Sequence, residues 1–130
     1  MIAYVTLGAD DLVAARQFYV AILPALGYVL EDRPDGISCT LPAQPGQGTA
    51  PPDLYIKRPF NGAAPSPGNG TMIALQAQSP QQVRALHEAA VAAGGTEEGP
   101  PGIRAAYSPT FYVAYLRDPT GNKLALFANT

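Results

Sequence analysis

The feature that most constrains this chain is a repetition: Tyr4, Asp11, Arg16, Phe18 and Gly27 recur 68 residues later as Met72, Ser79, Arg84, Leu86 and Gly95. Each set marks, in the same order, a short strand, a helix start, a helix face and a glycine after the helix. A chain of 130 residues with that period reads as one domain, 1–130, built from two similar units. Two such units can close around a cleft, which is where function is to be sought.

The local patterns fill in the units. Ile2 to Leu7 reads as a strand, Asp10 and Asp11 offer an N-cap, and Leu12, Ala15, Phe18, Tyr19 and Ile22 share a helix face. Strand patterns follow at Tyr28–Leu30, Ile37–Leu41 and Leu54–Ile56, with a turn over Arg33, Pro34, Asp35 and Gly36. The second unit restarts at Thr71–Gln76. Ser79, Pro80 and Gln82 then give an N-cap, a first-turn proline and a capping-box glutamine. Val83, Leu86, Ala90 and Ala93 form the helix face, and strands are expected at Phe111–Leu116 and Lys123–Phe127, joined by the turn Asp118-Pro119-Thr120-Gly121-Asn122. The expected fold is α+β: two βαβββ modules, about 1–58 and 71–130 with a linker at about 59–70, forming a curved mixed sheet around a cleft. The Pro- and Gly-rich stretches Pro42–Pro52 and Pro59–Gly70 lack periodicity; the first is long enough to flank or cover a cleft.

Composition bounds the partners. Hydrophobic residues make up 47% and charged residues 14%, against roughly 25% charged in a typical domain, so part of the apolar exterior is expected to be covered in a homodimer. With a net charge of −2 and eight scattered Lys and Arg, neither nucleic acid nor a membrane is an expected partner. The first residues enter a strand pattern at once and no apolar run approaches a span, so a cytoplasmic location is expected. Cys39, the single cysteine, alternates with Ile37 and Leu41 and reads as a small buried hydrophobe.

Val5-Thr6-Leu7-Gly8 with Asp10-Asp11-Leu12, then Arg16, Phe18 and Tyr19, and later Leu26-Gly27-Tyr28, resembles the vicinal oxygen chelate superfamily. That superfamily includes glyoxalase I, extradiol dioxygenases, and bleomycin- and fosfomycin-resistance proteins. The stretch Tyr115 to Leu124 is similar to its last hairpin, so the resemblance spans nearly the whole chain. It implies that a divalent ion, where one is held, takes ligands from the first and last strands of each unit, commonly His, His or Gln, and Glu. At those positions stand Tyr4 and Met72 in place of His, and Ala125 in place of Glu. Tyr55 is nearest to the remaining position, and a phenol of ordinary pKa about 10 is a poor ligand while protonated. No metal and no cofactor are expected.

The residues argue the same way. The one histidine, His87, lies on a helix and is followed by Glu88, but Val91 stands where a zinc-protease helix needs its second histidine. His87 therefore reads as a partly buried helix residue. Carboxylates alone, Asp53, Asp10 or Glu97, have no spacing that suggests a site.

Strand alternation names the lining of the cleft. Tyr4 and Thr6 face inward from the first strand, Met72 and Ala74 from the fifth; Asp53, Tyr55 and Lys57 share a face, as do Lys123, Ala125 and Phe127. The resemblance to fosfomycin-resistance proteins adds Phe111, Val113 and Tyr115. Tyr4, Thr6, Tyr55, Met72, Phe111, Tyr115, Ala125 and Phe127 are thus the ligand-binding candidates, in an apolar pocket with several phenols suited to a planar or amphipathic small molecule. The alternative is that the same aromatics only fill the interior. Arg104 and Tyr107 either guard the entrance or are ordinary surface residues.

Three functions fit: a metal-free small-molecule-binding protein; a lyase, isomerase or dioxygenase-type enzyme using displaced ligands or a Tyr general acid, with Tyr115 and Tyr4 as candidates; or a dimeric interaction module with a vestigial cleft.

Overall fold

Both helices begin where the repeat places a short polar side chain. Asp11 accepts a hydrogen bond from the Ala14 N–H at 3.0 Å and Ser79 accepts one from the Gln82 N–H at 3.1 Å, each satisfying a donor that a first turn leaves free. In the computed structural model, which describes residues 1–48 and 50–130, the helices so started are α1 (Leu12–Ile22) and α2 (Pro80–Ala92). Thr49, inside the Pro42–Pro52 stretch, lies outside the described residues. The Gln82 side chain accepts from the Gln78 N–H rather than from Ser79, so the expected capping box closes one residue early.

Strands β1 (Tyr4–Gly8), β2 (Val29–Arg33), β3 (Gly36–Thr40) and β4 (Asp53–Lys57) form one sheet in the order β1-β4-β3-β2. Strands β5 (Ile73–Gln76), β6 (Thr96–Ile103), β7 (Phe111–Arg117) and β8 (Lys123–Asn129) form a second in the order β5-β8-β7-β6. In each, the first and last strands pair parallel and the rest antiparallel. The repetition in the sequence is therefore a repetition of topology, two βαβββ modules in an α+β fold.

β6 is the element that periodicity does not reveal. Its sequence, Thr-Glu-Glu-Gly-Pro-Pro-Gly-Ile, has no alternation, and its pairing with β7 shifts register twice, between Glu97 and Gly99 and between Gly99 and Gly102. Prolines are tolerated there because β6 is an edge strand.

One core serves both modules. Leu54, Ile56 and Cys39 from the first sheet and Leu116, Leu124 and Leu126 from the second pack with Phe18, Tyr19 and Ile22 of α1 and Val83, Leu86 and Ala90 of α2. Leu12 and Ala93, expected on the helix faces, are only half-buried at the ends. The repeated glycines have diverged in role. Gly27 takes φ +94° to close a short 3-10 turn, Pro24–Leu26, after α1. After α2 that conformation moves to Gly94, at φ +104°, while Gly95 lies under the Phe18 ring, which a Cβ would approach to 2.7 Å. No helix among the described residues is long and apolar enough to cross a membrane.

The modules are joined at Asp118, buried in the β7–β8 turn. Its Oδ1 accepts from the N–H groups of Thr120, Gly121 and Asn122 at 2.9–3.0 Å. Its Oδ2 accepts from the Tyr19 hydroxyl at 2.5 Å and the Asn122 side-chain amide at 2.9 Å, and that amide also donates to the Gly8 carbonyl. The turn of module 2 thereby holds both α1 and the end of β1. Tyr19→Phe is expected to cost about 1–2 kcal/mol, and Asp118→Asn about 3 kcal/mol because its amide would face the Asn122 amide as donor against donor. Urea unfolding at constant m-value checks both.

Burial pushes the Cys39 thiol up to about 12, and burial together with Asp118 raises Tyr19 well above its ordinary value. Both groups hold their protons longer folded than unfolded, so stability is full below their unfolded pKa values and falls as pH rises through them. The Cys39 contribution is expected to remove about 1–2 kcal/mol by pH 10, and Cys39→Ala to move the onset of that decline toward the tyrosine range. Equilibrium unfolding between neutral pH and pH 10 measures it.

Candidate functional site

Because each helix covers one face of its sheet, the other face of each sheet is left open. In the first sheet Leu7, Leu54 and Ile56 point into the core while Tyr4 and Thr6 are exposed and Tyr55 and Lys57 half-buried. The β1–β4 register sets Thr6 beside Tyr55. Tyr4 meets Tyr55 edge-on with ring centroids 5.5 Å apart. Tyr4, Thr6, Tyr55 and Lys57 line a hollow of about 380 Å³. A neighbouring hollow of about 560 Å³ shares Thr6 and Lys57 and is walled by Arg58, Pro59, Phe60, Asn61, Ala64, Pro65 and Ser66. The loop that flanks this face is therefore Pro59–Gly70, where the sequence reading gave that role to Pro42–Pro52. Lys57 is held by Asp35 at 3.0 Å.

The open face of the second sheet is more aromatic. Register sets Val113 beside Phe127 and Tyr115 between Ala125 and Gly99. Phe111 packs on Phe127 at 4.7 Å, and Tyr107, from the β6–β7 loop, packs on Phe111 at 5.1 Å. Arg104 and Lys123 lie against Tyr115, the guanidinium carbon 5.6 Å and the ammonium 5.2 Å from the ring centroid.

The predicted residues thus assemble as two groups, Tyr4, Thr6 and Tyr55 on one sheet, and Phe111, Tyr115 and Phe127 on the other. No aromatic contact among the described residues joins one group to the other. Met72 is 42% exposed just before β5. Ala125 faces the same way as Phe127 but is only 1% exposed, so its methyl is covered and offers a ligand no surface. The sequence left Arg104 between two readings. What could have singled it out is the pair Gly99 and Gly102, which strips the neighbouring strand of side chains.

Other reactive groups fall outside the two faces. Cys39 is buried in the core, as its alternation implies. His87 is buried on α2 and lies 3.9 Å from Glu97, with its Nε2 lacking a hydrogen-bond partner among the described residues.

A divalent ion at the strand positions named above would have to be held by Tyr4, Tyr55, Met72 and Ala125. Two phenols, a thioether and a methyl are not the oxygen-rich or imidazole and carboxylate set such ions require, whichever way the modules pair. Elsewhere among the described residues no three His, Cys, Asp or Glu side chains come together. The residues present do not fit a metal.

The model of the glyoxalase/bleomycin resistance protein/dioxygenase superfamily matches residues 1–126. A glyoxalase/bleomycin resistance protein from Albidiferax ferrireducens T118 is 35% identical and superposes with a TM-score of 0.82, covering 100% of this chain and 99% of its own. Two more distant structures share the fold. A glyoxalase-related enzyme from Fulvimarina pelagi is 23% identical, with a TM-score of 0.71 and coverage of 99% and 88%. A glyoxalase/bleomycin resistance protein/dioxygenase family enzyme from Burkholderia phytofirmans PsJN is 20% identical, with a TM-score of 0.70 and 98% coverage of both chains. No curated protein matches the chain.

Purified protein dialysed against zinc, manganese, nickel or iron and then washed is expected to carry far less than one equivalent of metal by elemental analysis. Stoichiometric retention of any of them would refute the reading of the donor set.

Proposed function

Because the chain belongs to the glyoxalase/bleomycin resistance protein/dioxygenase superfamily yet presents phenols, a thioether and a methyl where that fold can hold an ion, we propose that it binds a planar, largely apolar small molecule without metal chemistry. The observation that carries this is the row of tilted rings Tyr107, Phe111 and Phe127, with Phe111 and Phe127 half-buried on the sheet face opposite the helix and Tyr107 exposed beside them. Aromatic side chains in a core normally close over one another. Here they present rings to the outside, with Tyr115 supplying a hydroxyl for orientation.

The site is completed by a second copy of the chain. Tyr4 at 62%, Tyr107 at 71% and Phe60 at 105% relative exposure are large apolar surfaces at the borders of the two faces, and their cover in a homodimer would enclose a ligand that one open face cannot. The name of the Albidiferax ferrireducens relative joins glyoxalase with bleomycin resistance, and the binding half of that pair is the one these residues suit.

The chain has seven tyrosines and no tryptophan, so ligand binding is readable as quenching of tyrosine emission. Titration with phenylnaphthylamine is expected to give saturable quenching, weakened about tenfold by Phe111→Ala. Sedimentation equilibrium is expected to give a dimer. Absence of saturable binding, or turnover of a substrate that depends on added metal, would overturn the proposal.

A further inference from the structure

Resting on that reading of the second sheet's open face, we infer that its ligand is an amphipathic anion: a planar apolar body laid on Phe111 and Phe127, with a carboxylate or sulfonate group taken up beside Tyr115 by Arg104 and Lys123. Four basic side chains are engaged with carboxylates among the described residues, Arg16, Arg33, Lys57 and Arg117. Arg104 and Lys123 are not, and both lie against the same ring from opposite sides, Lys123 on β8 and Arg104 beyond β6. The carboxylate whose charge Lys123 also feels, Glu98, is committed to the Arg117 Nε at 2.6 Å.

The placement of Arg104 is built rather than incidental. Its side chain folds back along β6 and donates from Nη2 to the Pro100 carbonyl at 2.6 Å. It lies over Gly99 and Gly102. A Cβ at Gly99 would come to 2.9 Å from the Tyr115 ring and 3.4 Å from Nη2, and one at Gly102 to 3.2 Å from Nη1. Bare backbone at Gly99 leaves room for the Tyr115 ring, and at both positions it leaves the guanidinium uncrowded against the phenol. The backbone of Arg104 is fixed too, its N–H donating to the Phe111 carbonyl and its carbonyl accepting from the Tyr107 N–H, both at 2.9 Å. One of five guanidinium N–H donors is spent on Pro100. The rest suit a planar, two-oxygen anion. The apolar stack beside these cations sets the other half of the ligand, so a small inorganic anion or an uncharged aromatic would satisfy only part of the site.

The test compares anilinonaphthalene sulfonate with phenylnaphthylamine, which keeps the same rings without the charge. The sulfonate is expected to bind more tightly. Arg104→Gln and Lys123→Gln should each weaken it by about three- to fivefold while leaving phenylnaphthylamine unchanged. Arg104→Lys, which keeps the charge but loses the planar fork, should retain part of the preference. Arg84→Gln removes one positive charge from the helix side of the same sheet, where Arg84 donates to the Tyr112 hydroxyl, and should leave both affinities unchanged. Thermal melts of each variant verify folding. Equal binding of the two probes, insensitive to Arg104 and Lys123, would overturn this inference and leave the aromatic site standing. Binding of neither probe would overturn both.

Discussion

The Asp118 carboxylate is the point on which the two halves of the molecule depend. It is buried and takes five hydrogen bonds, three from its own turn and two that bind the turn to module 1 through Tyr19 and Asn122. A buried carboxylate is costly unless its oxygens are fully engaged, and this one is. With the turn fixed, β7 and β8 are held in register, and their open face carries Phe111, Tyr115 and Phe127 at set heights. That face owes its register to a contact made at the turn that joins its two central strands.

The same division of faces explains why duplication did not produce two equal sites. Both modules leave one face open, but the first fills it with Tyr4, Thr6, Tyr55 and a lysine already held by Asp35, under a proline-rich loop. The second fills it with mutually tilted rings in contact and two cations without a carboxylate partner among the described residues. One half is polar and walled, the other apolar and charged at one border.

How much of this was legible in the sequence follows from how local each cause is. The caps Asp11 and Ser79, the proline at the start of α2 and the turn at Asp118 act within four residues, and each stands where the sequence put it. Strand alternation assigned Tyr4, Thr6, Tyr55 and Phe127 to the faces opposite the helices, because burial on one side enforces a period of two, whereas Phe111 came from the family resemblance. β6 escaped because glycines and prolines erase that period. The Asp118 turn was legible as a turn but not as a joint, since Tyr19 is 99 residues away in the chain. Arg104 was ambiguous for a similar reason: its position depends on a side chain folding back over two absent Cβ atoms. The covered state of Ala125 depends on what packs around it rather than on its parity.

The prolines of β6 carry a consequence for assembly. Pro100 and Pro101 supply no N–H, and the register shifts, one before them and one across them, break the spacing that a visiting strand would have to match. The outer rim of the second sheet is therefore a poor template for extension by another chain, even though a sheet edge ordinarily invites it. Pro100, one of the residues that blunt the rim, is also the one whose carbonyl holds the Arg104 guanidinium.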